Sequence, residues 1–355
     1  MSIKEVAKIA GVSHTTVSRV INGVAGVSPS SLKRVNNAMR QLNYAPPAIR
    51  RGPQPKRRGP VKTGNVGVLM FTNSGVMTAA PFVAVVVRAI EVALMDAGLN
   101  MIVAHVDEGG RVPPHVAAGR VDGLLLQGLP PSLEMAEQLR CHPSVWFLSP
   151  RARTGYWGDR VGPDNPKVGE LAATFLHQQG HEHVAYMNVN SCHIGFEMRG
   201  NAFAGRACDL GMKMSVLANQ AEQNHRIINS LSEQADHQGM LEAIGQLVDM
   251  ADRPTGIFVP RASLMAKVYR MLEQRGIKPG KDIQLITCDH HNLLESLDPI
   301  PTTIDIKPQL IGQNAVRQLL WRMKNPHEPI TNDIRIEPCL IHPDDGRLPV
   351  SVMYE

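Results

Sequence analysis

Aromatic residues make up only 4% of this 355-residue chain and charged residues only 19%, yet 43% of it is hydrophobic. That apolar content excludes a wholly disordered chain. No apolar run approaches the ~18 residues that a membrane span needs. The best stretch, around Pro81 to Ile90, is broken by Arg88. No apolar h-region follows Met1, so the start does not read as a secretory signal, and the expected location is the cytoplasm. Cysteine is sparse and scattered, at Cys141, Cys192, Cys208, Cys288 and Cys339, with no Cys-x-x-Cys pair. This excludes a disulfide framework and a zinc ribbon. Acidic residues are nearly missing from the N-terminal sixth. Residues 1–63 carry twelve Lys/Arg and one acid, Glu5, for a net of +11, whereas the remaining 292 residues hold 25 basic and 31 acidic residues, a net of −6. The overall +5 therefore joins a basic arm to a mildly acidic body, the charge plan of a nucleic-acid module on a separate sensor or enzyme. At roughly 150 residues per domain the length suits two or three domains.

What is present begins with three short helices. Ile3, Val6, Ala7 and Ala10 recur at helical spacing over 3–10, and Gly11 stops the helix where a tight turn needs a left-handed residue. Ser13 is a suitable N-cap for a second helix, 14–22, with Val17, Val20 and Ile21 inward. A third follows Ser28, with Pro29 at its first position, and runs to about 43 on Leu32, Val35, Met39 and Leu42. Two helices joined by a short turn and braced by a third predict a helix-turn-helix. The outward face of 14–22 carries His14, Thr15, Ser18 and Arg19, polar and without an acid. Arg19 suits guanine O6 and N7, while His14 and Thr15 suit base edges or phosphates. Ser2, Ser13, Thr16, Asn22 and Ser28 are short donors for phosphate oxygens. The alternative is an ordinary solvated helix face.

The string Ile3-Lys4-Glu5-Val6-Ala7-Lys8-Ile9-Ala10-Gly11-Val12-Ser13-His14-Thr15-Thr16-Val17-Ser18-Arg19-Val20-Ile21-Asn22-Gly23, with Val27-Ser28 and Leu42-Asn43-Tyr44, resembles the DNA-binding headpiece of the lactose repressor (LacI/GalR) family. The resemblance implies a homodimer on a pseudo-palindromic double-stranded operator, with His14, Thr15 and Arg19 reading bases and Tyr44 in the headpiece. The linker departs from the family pattern. Pro47 replaces the Asn after Tyr-x-Pro, Pro53 stands where a minor-groove leucine belongs, and five prolines lie between 46 and 60. A hinge helix there is improbable. Instead Arg-Arg-Gly-Pro occurs twice, with Arg50, Arg51, Arg57 and Arg58. Such arginines suit a narrow A·T minor groove; the alternative is a solvated basic tether. Deleting 50–60 separates the two, since an unchanged preference for A·T-rich operator centres removes the minor-groove role.

From Asn65 short apolar runs alternate with helical segments: strands 65–71, 100–104, 122–127, 145–148, 183–188, 213–217, 256–259 and 283–288, and helices 81–97, 166–179, 198–210, 238–250, 262–275 and 308–323. Alternation of this length predicts two parallel sheets, each covered on both faces, with a ligand between them. Val121-Asp122-Gly123, Val161-Gly162-Pro163-Asp164-Asn165, Arg199 with Ala202-Phe203, and Cys288-Asp289 with Pro301-Thr302-Thr303 resemble the effector-binding core of the same family. The implied fold is an all-α helix-turn-helix headpiece followed by an α/β core of two Rossmann-like lobes, periplasmic-binding-protein-like. The expected domains are 1–45 (DNA binding), a 46–63 linker and 64–355, with an N-lobe of about 64–161 plus 291–323 and a C-lobe of about 162–290 plus 325–355. Asp164, Arg199 and Asp289 fall at strand ends or helix starts and supply two acceptors and a bidentate donor, a set for hydroxyls or a polar heterocycle; Asp164 alternatively caps its helix. The resemblance adds an aromatic contact at Phe82 and implies a small-molecule effector, a sugar or sugar derivative. Trp146 and Trp157 are candidates for stacking or for core. Where the family has Phe-x-x-Asn-Asp, this chain reads Phe258-Val259-Pro260-Arg261-Ala262, so Arg261 brings a cation to the cleft and an acidic or phosphorylated effector, or none, becomes conceivable.

Enzyme motifs are missing: no Gly-x-Ser-x-Gly, no Gly-x-Gly-x-x-Gly and no P-loop, the nearest being Gly276-Ile277-Lys278-Pro279-Gly280-Lys281 with one residue too few. His177, His181 and His183 lack a completing Cys or carboxylate, so neither metal nor cofactor is expected. The expectation is a transcription repressor rather than an enzyme, the alternative being a ligand-independent regulator with a degenerate effector site.

Overall fold

Gly11 makes the first obligatory turn. In the computed structural model, which describes residues 3–21, 27–42, 44, 62–71, 81–106, 110–149, 155–189, 193–218, 233–289 and 292–343, its φ is +59°. Helix α1 (Ile3–Ala10) ends there in paired bonds, Val12 N–H to the Ala7 carbonyl and Gly11 N–H to the Lys8 carbonyl, the pattern that a left-handed residue after a helix allows. Helix α2 (His14–Ile21) starts on Ser13, whose Oγ accepts the Thr16 N–H at 3.1 Å. Helix α3 (Pro29–Gln41) starts on Ser28, whose Oγ accepts the Ser31 N–H at 3.3 Å. Val6, Ala7, Ala10, Val17, Val35 and Ala38 meet in one small core, with half-buried Tyr44 against it. This three-helix body lies in the first of two compact units, Met1–Lys56; the second is Arg57–Glu355.

Among its described residues the second unit is built on two six-stranded sheets. Chain order runs β1 (Asn65–Phe71), α4 (Pro81–Asp96), β2 (Asn100–His105), a one-turn α5 (Pro114–Ala117), β3 (Gly123–Gly128), α6 (Leu133–Leu139), β4 (Ser144–Phe147) and β5 (Asp159–Pro163). Then come α7 (Asn165–Gln178), β6 (His183–Asn188), α8 (Ile194–Asp209), β7 (Lys213–Ala218), α9 (Glu233–Asp249), β8 (Gly256–Val259), α10 (Met265–Glu273), β9 (Gln284–Cys288) and β10 (Thr302–Asp305). Helix α11 (Pro308–Lys324), β11 (Asp333–Ile336) and β12 (Cys339–Ile341) complete it. The strand orders are β11-β5-β4-β3-β1-β2 and β12-β10-β9-β8-β6-β7, parallel throughout except for β12 against β10. Every residue of β4, β6 and β8 is buried, as expected of parallel strands covered on both faces.

The lobe boundaries shift from those expected. Residues 302–305 do not join the N-lobe, because β10 pairs with β9 in the second sheet; 333–336 do not join the C-lobe, because β11 pairs with β5 in the first. Helix α11 does pack on the first sheet's side, against α4 and β3 to β5. The chain therefore passes between the sheets three times, after β5, β10 and β11. Lys62 and Thr63, placed in the linker by sequence, belong with the core: the Asp122 carboxylate accepts the backbone N–H groups of Lys62, Thr63 and Gly64 at 2.6–3.1 Å. The helix expected over 262–275 is a 3₁₀ turn, Ala262–Leu264, continued by α10. No helix among the described residues is long and apolar enough to cross a membrane.

Candidate functional site

Packing orients α2. Val17 is buried against α1 and α3, which leaves His14, Thr15 and Arg19 exposed and Ser18 half-exposed on the opposite face. No acidic residue lies in the first turn of α2, and Arg19 lies in its last. Ser13 and Thr16, expected as phosphate donors, join their hydroxyls at 2.9 Å, and Ser28 is the α3 cap, so each builds the headpiece whatever else it touches. Tyr44 donates its backbone N–H to the Met39 carbonyl and packs on the headpiece core. Ser2, Asn22, Arg50, Arg51, Arg57 and Arg58 lie outside the described residues.

In the second unit the candidate cleft residues separate into two sets. Arg199, Asp289, Asn165 and Arg261 gather at the C-terminal edge of the second sheet, where the open ends of parallel strands form crevices. Helix α8 delivers Arg199, and a Cβ at Gly169 of α7 would overlap the Arg199 carbonyl, so the close approach of these two helices requires glycine. Arg199 is 4% exposed and donates through Nε to Asn165 Oδ1 at 2.9 Å, through Nη1 to the Pro260 carbonyl at 2.7 Å and through Nη2 to Asp289 Oδ1 at 3.1 Å. Asp289 follows β9 with φ +68°, a left-handed position that Asp tolerates better than most side chains. Burial works against the Arg199 charge, but the Asp289 carboxylate outweighs it and holds the guanidinium protonated more firmly than usual. Burial also pushes the neighbouring Cys288 thiol well above its ordinary range.

Arg261 stands one residue beyond Pro260. It is buried and pairs through Nη2 with Asp236 of α9. Asn165 and Asp236 were not among the expected site residues. Asn165 was legible in the Asp-Asn pair at the start of α7, whereas no local pattern marks Asp236 as the partner of a residue 25 positions away.

The other set does not converge on Arg199. Asp164 caps α7, accepting the Lys167 N–H at 3.2 Å, and donates its own N–H to the Ile336 carbonyl, which ties two of the three passages between sheets together. Phe82 is half-buried in the first turn of α4, packed on the apolar core. Trp146 is fully buried, edge-on to Tyr156 at 4.7 Å and to Trp157 at 5.2 Å, which makes it core. A pocket beside Asn165 is lined by Leu148, Ser149, Pro163, Met198 and Arg335.

Comparison with known proteins agrees with both units. The family profile for bacterial regulatory proteins of the lacI family matches residues 2–47, and that for a periplasmic binding protein-like domain matches residues 173–342. The HTH-type transcriptional repressor PurR of Vibrio atlanticus (strain LGP32) is 25% identical over 346 residues, covering 91% of this chain and 92% of the relative. The ribose operon repressor of Haemophilus influenzae is 26% identical over 335 residues, covering 92% and 93%. Among solved structures, a transcriptional regulator CelR–cellobiose complex aligns with a TM-score of 0.64 at 22% identity, over 96% of this chain and 98% of that one. The lac repressor dimer bound to operator and the anti-inducer ONPF aligns with a TM-score of 0.62 at 20% identity, with the same coverage. A helix-turn-helix headpiece followed by a two-sheet periplasmic-binding-protein-like core, matched from end to end by such relatives, places this chain in the LacI/GalR family of bacterial transcription regulators.

Proposed function

We propose that the chain is a sequence-specific DNA-binding transcription repressor. It acts as a homodimer on a pseudo-palindromic operator, and a small polar ligand between the two sheets, a sugar or sugar derivative, sets its operator affinity. The observation that carries the reading is the acid-free outer face of α2, held out by a buried Val17 on a headpiece of strongly basic sequence. Such a helix enters the major groove, and a dimer reads half-sites about one helical turn, roughly 34 Å, apart. The relatives named as the HTH-type transcriptional repressor PurR and the ribose operon repressor, and the lac repressor dimer on its operator, support both the repressor role and the dimer. Exposed Val92 and Met95 on α4 and Val103 on β2 offer apolar surface for a second copy. The ligand shifts a population between two arrangements of the sheets and can do so only by its differential affinity for them.

Selection of bound duplexes from random DNA tests the regulator reading: an enriched two-fold motif is expected, and its absence ends the proposal. One observation favours a second reading, a ligand-independent regulator. Arg199 and Asp289 already satisfy one another, so the usual polar contacts are spent inside the protein. Operator affinity that stays constant across sugars, sugar phosphates and nucleobases would favour it.

A further inference from the structure

We infer that Arg261 is the anion-reading end of the ligand site, so that the effector carries an oxyanion, a carboxylate or phosphate ester, on its polar frame. The inference rests on reading the C-terminal edge of the second sheet as a ligand site. Arg199 is committed there: all three of its nitrogens donate, to Asn165, to the Pro260 carbonyl and to Asp289. Arg261 is different. It is 3% exposed and meets Asp236 through Nη2, while its Nε and Nη1 are buried with no hydrogen-bond partner among the described residues. A guanidinium has five N–H donors, and a charged donor buried without an acceptor is among the more expensive unsatisfied groups in a fold. An oxyanion is its strongest complement, because charge-assisted bonds are about twice as strong as neutral ones.

The neighbourhood fits a bound molecule rather than a lone ion. Arg261 directly follows Pro260, whose carbonyl holds Arg199, so Arg261 and the Arg199–Asp289–Asn165 set share the end of β8. That set is charge-balanced within itself and suits hydroxyls. Asp236 keeps 13% of its side chain exposed and occupies Nη2 only, so Nε and Nη1 are the donors that an oxyanion would take. A neutral sugar would fill the hydroxyl set and leave the two Arg261 donors as they are.

The test is calorimetric titration of the full-length protein with inorganic phosphate, sugar phosphates, sugar acids and their neutral parent sugars, on wild type, R261Q, R261K and R261Q/D236N. Expected is at least one charged probe that binds about tenfold or more tighter than its neutral parent, a loss of that margin in R261Q and partial retention in R261K. Phosphate esters and carboxylates are separate arms, so the panel also identifies the oxyanion. The double variant, which leaves no buried carboxylate behind, must match wild type in thermal unfolding while losing the charged probe. The inference is overturned by neutral sugars binding as tightly as their charged derivatives, by R261Q binding the charged probe like wild type, or by no charged probe binding. DNA selection on the same preparations separates the two readings. Intact operator selection without charged-probe binding ends this inference alone, and probe binding without DNA selection ends the regulator reading alone.

Discussion

Two arginines near the end of β8 carry opposite roles. Arg199 and Asp289 form a closed buried pair, each about 4% exposed, so removing one partner strands the other's charge. Asp289→Ala is expected to destabilise the core by about 3–5 kcal/mol in urea unfolding. Asp164→Ala, which loses only a helix cap, is expected to cost about 1 kcal/mol. In the headpiece, Arg19→Ala is expected to weaken the selected operator by about 1–3 kcal/mol and relax preference at one base position, measured by fluorescence anisotropy. Much of this was legible in the sequence. Arg199 stands out as a charged residue near the expected start of a helix, Asp289 as one at the end of an apolar strand, and His14, Thr15 and Arg19 as the polar side of a short amphipathic helix. The direction of their bonds was not legible. Nothing in the strings distinguishes an Asp164 that caps a helix from one that faces a ligand, or shows that Arg261 finds Asp236.

At the scale of elements, the packing of α7 on α8 decides how Arg199 is held. Gly169→Ala would overlap the Arg199 carbonyl and press on the Phe203 N–H, so a loss of about 1–3 kcal/mol is expected from overpacking. Gly205 lies in the same helix, α8, with open space around its Cβ position, and Gly205→Ala is expected to stabilise by up to about 1 kcal/mol. Paired thermal unfolding curves check both. Long apolar strands such as β1 and β6 declare themselves by composition, and so did α4 and α11. Short, polar or glycine-bearing ones did not: β5, Asp-Arg-Val-Gly-Pro, has one apolar branched residue, while β11 and β12 have four and three residues and depend on partners far along the chain. Helix α8 starts at Ile194, four residues before its expected start, because His193 caps it and burial outweighs the poor propensity of Gly195 and Gly200.

Across the whole core, Asp159 joins three elements. The first residue of β5, fully buried, accepts from Arg322 Nε and Nη2 at 2.8 and 2.7 Å and from Gln318 at 2.8 Å, both on α11, and from the Asn332 N–H just before β11. Burial raises its pKa, but these donors outweigh it and hold the carboxyl below its ordinary range. A carboxyl depressed in the folded state contributes stability above its unfolded pKa, about 3.9, and loses it as pH falls through the folded value. Core unfolding temperature is therefore expected to drop on acidification below about pH 4, with a shallower drop in Asp159→Asn. The Asp122 carboxylate has a mechanical consequence. It grips three successive backbone N–H groups just before β1, a strand with parallel neighbours on both sides. Any pull on the polypeptide preceding Lys62 runs along β1 and would shear it past β2 and β3. Asp122 works there as a bollard: the load goes first to one side chain anchored at the root of β3, and the β1 ladder is spared until those bonds let go.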